Sequence, residues 1–319
     1  MRAVDTSNVV RAFAIGAVVL NHTTLLGLGG GLNLLFLLSG MAFAELVFAR
    51  TEKPAWEIGR DFVARLLLGS LFLCLFWFAY YRTFEPAELL MFSNWITVER
   101  VPLFPLWFTQ TFLQIMIVVV ALFSVSELRV LANRRPVLFS GAALAVCAGL
   151  VTVSKLTFDT AALDDRLPHL HAWNFVLGWL FWAVLLAREP TARDRIALTC
   201  VSIALVILVF PILQLKNWEP RVFVFTVPLI FLIWSRELQL PRWIAHPVLL
   251  VSQATLMIFF LHLPVFRAVR SMLRAAFGDV PAALQFVPFA GALIGPVIIW
   301  AAVTAAVRVW RRNARASLA

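Results

Sequence analysis

The chain has 319 residues, 62% of them apolar and only 14% charged, against about 25% charged in an ordinary soluble domain. With a mean hydropathy of +0.89 and three cysteines that lack any CxxC spacing, this composition excludes disorder, a secreted disulfide scaffold and a water-soluble globule. The net charge of +10 reads as orientation in a bilayer rather than as nucleic-acid binding, because the Lys and Arg residues gather between apolar runs.

Ten apolar segments follow in chain order: 9–26, 31–48, 62–80, 105–123, 137–153, 172–187, 196–213, 220–235, 248–265 and 286–307. Each approaches the roughly 20 residues that cross a hydrocarbon core. The expected fold is all-α: a polytopic membrane protein, with residues 1–319 forming a single bundle of about ten transmembrane helices and one domain. No small-residue cleavage site precedes the second segment, so the first is expected to be retained. Pro211, Pro228 and Pro264 predict kinks or span ends. Arg267, Arg270 and Arg274 recur at helical spacing and predict an interfacial helix after the ninth span. Tryptophans near the span ends predict interface anchors. The small pair in SGMAF (39–43) predicts a close helix approach, and Cys74, Cys147 and Cys200 read as small hydrophobes.

With ten spans both termini share a side with loops 49–61, 124–136, 188–195 and 236–247. That side holds sixteen Lys and Arg against eight on the other, which places both ends in the cytoplasm. Ionisable groups at membrane depth then become informative, since they are rare there and usually face a bundle interior or a cavity. Arg11 and His22 lie eleven residues apart, about 16 Å along a helix and about 20° short of three full turns. One helix face can therefore carry an inner cation and an outer imidazole. An outer polar mouth gathers His22, Asn33, Gln110, His171 and His262; an inner one gathers Arg11, Glu45, Arg60 and Arg65. A histidine with a pKa near neutrality suits proton transfer from a hydroxyl, and guanidinium forks suit phosphates. His262 is alternatively a packing residue bonded to a backbone carbonyl. No histidine pair has a metal-ligand spacing with acidic support, so no metal is expected.

The Arg11–His22 pair, GLNLLFLLSG at 31–40, PLWF at 105–108, FVLG at 175–178 and ATLMIFFLHLPVF at 254–266 together resemble the integral-membrane acyltransferase type 3 family. Its members O-acylate bacterial surface polysaccharides and other substrates. The resemblance implies a catalytic His22, an acyl-CoA donor (acetyl-CoA or another) held from the cytoplasmic side, and a hydroxyl acceptor on an outer-side glycan or related molecule. It also implies the bacterial inner membrane, with membrane lipid as surroundings and no nucleic-acid partner. Asn33 stands where the family carries Asp, which removes a carboxylate that could orient His22, and Arg60 and Arg65 loosely match the family's arginine pair. Asn33 or Gln110 could orient His22 or donate to a developing oxyanion. Arg11, Arg60 and Arg65 are expected to hold donor phosphates, with Glu45 steadying Arg11, while His171 and His262 are candidates for outer-site support. Whether His22 acts as base or carries the acyl group stays open, as do the acyl chain and a homo-oligomeric state. A small-solute or lipid transporter and a noncatalytic membrane partner are the alternatives to an enzyme.

Overall fold

The computed structural model describes residues 1–23, 29–49, 54–96, 106–158, 160, 163, 166–213, 218–278, 281 and 284–316. In chain order the elements are β1 (Arg2–Asp5), α1 (Thr6–Thr23), α2 (Gly31–Val47), α3 (Ala55–Tyr81), α4 (Pro86–Leu89), a 3-10 turn (Ser93–Trp95), α5 (Trp107–Phe123), α6 (Ser126–Arg134) and α7 (Pro136–Thr157). They continue with α8 (Pro168–Leu185), α9 (Ala192–Ile212), α10 (Trp218–Trp234), β2 (Glu237–Leu240), α11 (Arg242–Gln253), α12 (Thr255–Phe277) and α13 (Val287–Ala316). The fold is all-α apart from one antiparallel pair of short strands, β1 with β2, in which Ala3 faces Gln239.

The described residues of all ten apolar segments fall largely on helices, residues 24–26 and 105 lying outside the described set, yet length and apolarity establish fewer crossings than ten. Five described helices qualify: α3, α7, α9, α12 and α13; a sixth is reached if α5 and α6, bent by 92°, form one span. Among the others, α2 and α10 have only 17 residues, and α1 and α8 carry Arg11, His22, His169, His171 and Asn174. In the five qualifying helices at most 28% of the apolar window is buried within the protein. Large apolar side chains such as Phe72, Leu156, Leu208 and Ile298 therefore point outward, as a hydrocarbon solvent requires.

Other expectations change. The segment 248–265 is divided at Ala254, where φ −85° and ψ 4° separate α11 from α12. Arg267, Arg270 and Arg274 belong to the unbroken α12 rather than to a separate interfacial helix, because Pro264 sits inside that helix without ending it. Pro228 likewise lies within α10, and Pro211 one residue before the end of α9. The stretch 126–134, expected as a loop, is α6. Trp77, Trp173, Trp179 and Trp182 are buried core residues and not interface anchors, whereas Trp56, Trp95, Trp234, Trp243 and Trp310 are exposed. All three cysteines are free, Cys74 buried and Cys200 exposed on α9.

The chain divides into two compact units: Met1–Gly31 with Ser235–Ala319, and Leu32–Trp234. In the first, Asp5 caps α1 by accepting from the Ser7 amide at 2.7 Å, and the Thr6 amide donates to the Arg236 carbonyl at 3.0 Å. β1 thus delivers the start of α1 beside the residues that lead into α11. α1 then packs against α11, α12 and α13, with Ser252 donating to Asn8 at 2.9 Å.

The second unit is built around α8, whose residues from Trp173 to Val184 are all buried. Phe43, Phe48, Phe123, Phe139 and Trp179 interlock there at ring-centroid distances of 4.8–6.3 Å. Two glycines set the approach of α2 to α8. A Cβ on Gly40 would collide with the Phe175 carbonyl oxygen, and one on Gly178 with the Leu37 carbonyl oxygen. At one end of this unit α6 bonds the end of α2, with Asn133 donating to the Phe48 carbonyl at 2.7 Å. α9 starts with a reciprocal capping box between Thr191 and Asp194.

Candidate active site

Arg11 and His22 sit on α1, both half-buried. Arg11 feels the charge of Asp5, a partner that hydropathy reasoning did not name. His22 is one residue from the described end of the helix, and its partner is the buried His262 of α12, which is 2% exposed. Nδ1 of His22 lies 2.8 Å from Nε2 of His262. Nδ1 of His262 in turn lies 2.8 Å from the Phe259 carbonyl oxygen and 3.1 Å from that of Ile258. His262 therefore bonds backbone carbonyls, as its packing alternative expects, and also touches His22. Among the described residues of this unit, Nε2 of His22 has no hydrogen-bond partner.

The remaining candidates belong to the second unit. Asn33 lies buried in the first turn of α2, and Glu45 lies exposed near that helix's end. Arg60 and Arg65 are exposed on α3. Arg60 pairs with Asp61 at 3.4 Å and lies over the Trp56 ring at 5.5 Å. Five residues turn a helix by about 140° beyond one revolution, so the two arginines do not share a face. His171 of α8 packs near-parallel to Phe36 at 5.5 Å and tilted against Trp107 at 5.5 Å. The segments GLNLLFLLSG, PLWF and FVLG thus meet through Phe36, Trp107, His171 and the Gly40–Gly178 approach, which their separation in sequence conceals.

Gln110 has a different employment from the one its depth suggested. It is fully buried; its oxygen accepts from the Ser93 hydroxyl at 2.9 Å and the Asn94 amide at 3.0 Å, while its nitrogen donates to Glu88 at 2.6 Å. Asn94 and Thr111 both donate to the Arg166 carbonyl, at 3.3 and 2.5 Å, and Gln114 donates to the Met91 carbonyl at 2.8 Å. Gln110 therefore ties the connection between α3 and α5 to the residues preceding α8. Sequence reasoning passed over Glu88 because it lies in a polar-looking loop. The fold buries it to 2% exposure, and burial pushes its carboxyl up to about 7, against the opposing pull of its hydrogen bonds and of Arg166. Among the described residues no group of three or more His, Cys, Asp or Glu is arranged to hold a metal ion.

A family model described as an acyltransferase domain matches residues 4–307, almost the whole chain. The chain belongs to the acyltransferase type 3 family. No curated protein and no solved structure matches it. As an acyltransferase type 3 chain it carries the family match across both compact units, from β1 through most of α13.

Proposed function

We propose that this acyltransferase moves an acyl group, acetyl in the simplest case, from acyl-CoA on the cytoplasmic side to a hydroxyl of an outer-side glycan or related acceptor. The observation that carries the proposal is His22: one ring nitrogen is engaged by a buried partner, and the other has no hydrogen-bond partner among the described residues. Such an imidazole is placed to take the acceptor's hydroxyl proton while the oxygen attacks the thioester carbon. The C–S bond breaks, and the proton on His22 passes to the leaving thiolate.

In this mechanism Arg11 holds a donor phosphate, its guanidinium fork matching phosphate oxygens. The outward exposure of Arg60 and Arg65 suits capture of a soluble donor, and Glu45 lends local counter-charge. Asn33 supplies a neutral amide, a hydrogen-bond donor, where the family has a carboxylate. Gln110 holds the loop between α3 and α5. The protein spans the inner membrane about ten times, with both ends cytoplasmic. The pairing of β1 with β2, which holds the N-terminus and the residues after α10 at one end, supports an even number of crossings between those two points.

The deciding experiment uses the purified protein in lipid nanodiscs with labelled acetyl-CoA and a glycan extract, read by mass spectrometry. H22A is expected to lower label transfer by about 10²–10⁴-fold at unchanged membrane abundance. Transfer at the wild-type rate overturns the mechanism. Movement of solute without consumption of acetyl-CoA identifies a transporter instead.

A further inference from the structure

We propose that His262 is the positioning residue for His22: it accepts the Nδ1 proton of His22 and so fixes the tautomer in which Nε2 is the bare, basic nitrogen. The inference rests on the proposal that His22 is the general base. The direction of every bond in the pair follows from what each atom can do. Carbonyl oxygens only accept, so the His262 nitrogen that lies 2.8 Å from Phe259 O and 3.1 Å from Ile258 O must carry a hydrogen. A neutral imidazole has a single N–H, so Nε2 of His262 presents a lone pair. That lone pair faces Nδ1 of His22 at 2.8 Å, and the hydrogen between them belongs to His22. The same single-proton rule then leaves Nε2 of His22 unprotonated.

The ring geometry agrees. The planes differ by only 18° while the centroids stand 5.1 Å apart, far longer than the nitrogen–nitrogen contact. The rings therefore meet edge to edge with the bond in their common plane, which is the direction of an imidazole lone pair. When Nε2 of His22 takes the hydroxyl proton, the imidazolium keeps its Nδ1–H bond to His262, now charge-assisted, and returns the proton from Nε2 to the departing thiolate. His262 thus does with a neutral ring what a carboxylate does in a Ser-His-Asp arrangement. It is itself held by two backbone carbonyls one turn away on its own helix. No acidic side chain is needed, which fits a family member that carries Asn33 in place of Asp.

The test is nitrogen-15 NMR of the full chain in nanodiscs with labelled histidine, at about pH 8 where an ordinary imidazole is neutral. Signals are assigned by their loss in H22N and H262N. The expected spectrum shows His22 protonated at Nδ1 and bare at Nε2. In H262F, which keeps an aromatic ring but removes the acceptor, the His22 proton should move to Nε2. Turnover of acetyl-CoA with a glycan extract should fall at least about tenfold in kcat with KM unchanged, and H262Q, whose amide oxygen can accept, should recover part of it. Wild-type His22 protonated at Nε2 overturns the proposal, as does an unchanged His22 tautomer in H262F. Should H262F fail to fold, the wild-type spectrum alone decides. The expected tautomer together with an active H22A removes the general-base mechanism; the wrong tautomer with an inactive H22A removes only the role of His262.

Discussion

Glu88 and Gln110 show at the residue scale how burial changes what a side chain is for. The Glu88 carboxyl is raised from its ordinary 4.5 to about 7, first by loss of water and further by Glu85, so the fold favours its protonated form. Its contribution to stability is fully present below 4.5 and is lost as the pH rises through about 7. Thermal unfolding of the purified protein should therefore occur at a higher temperature near pH 6 than near pH 8, and E88Q should flatten that difference. An equal pH response in E88Q would assign the effect to another group. The Arg60–Asp61 pair, with both side chains more than half exposed, is expected to contribute little. Gln110 was legible as a polar residue in an apolar helix, but not as the partner of Glu88, since 22 positions separate them.

At the scale of elements, the α2–α8 approach is the most sensitive contact. Gly40 and Gly178 each leave room for a neighbouring backbone carbonyl, and backbone cannot yield as a side-chain tip can. G40A and G178A should each destabilise the protein by about 1–3 kcal/mol or more, measured as a lower unfolding temperature in detergent. G141A, on α7 where a Cβ meets nothing, should have little effect by the same measurement. The capping box of α9 is a second, smaller test: T191A should cost about 1 kcal/mol through loss of its bond to the Asp194 amide. The SGMAF pair announced a close approach, and Gly40 makes one. Its partner in FVLG was not legible, because apolar periodicity says which face is buried and not what lies against it.

For the whole molecule, the strand pair constrains how many helices cross. β1 pairs with β2, so the start of α1 and the end of α10 share one side and the number of crossings between them is even. In a background free of Cys74, Cys147 and Cys200, single cysteines at Ala3 and Gln239 should react with an impermeant maleimide from the same face of the membrane. A cysteine at Phe92, exposed between α4 and the 3-10 turn, should react from the opposite face. Opposite labelling of Ala3 and Gln239 would contradict the strand pairing. Five crossings would leave three before Gln239 and so label Ala3 and Gln239 from opposite faces. A further cysteine at Glu189, exposed between α8 and α9, separates ten from six: it reacts from the Ala3 face where six crossings precede it and from the opposite face where three do.

Composition by itself determined the solvent: with 62% apolar residues and few charges, the chain must bury its surface in lipid, and its apolar runs must be helical because helices satisfy their own backbone. Local spacing singled out Arg11 and His22, and the order of short segments carried the family resemblance that the match over residues 4–307 bears out. Only the tertiary structure decided which side chains meet. It joined His22 to a histidine 240 residues away, turned a loop glutamate into a buried acid, drew four tryptophans into the core and split one apolar run between α11 and α12. The physical reason is that hydrophobic burial is non-directional: it commits a segment to the interior, while packing and hydrogen-bond geometry choose its neighbours.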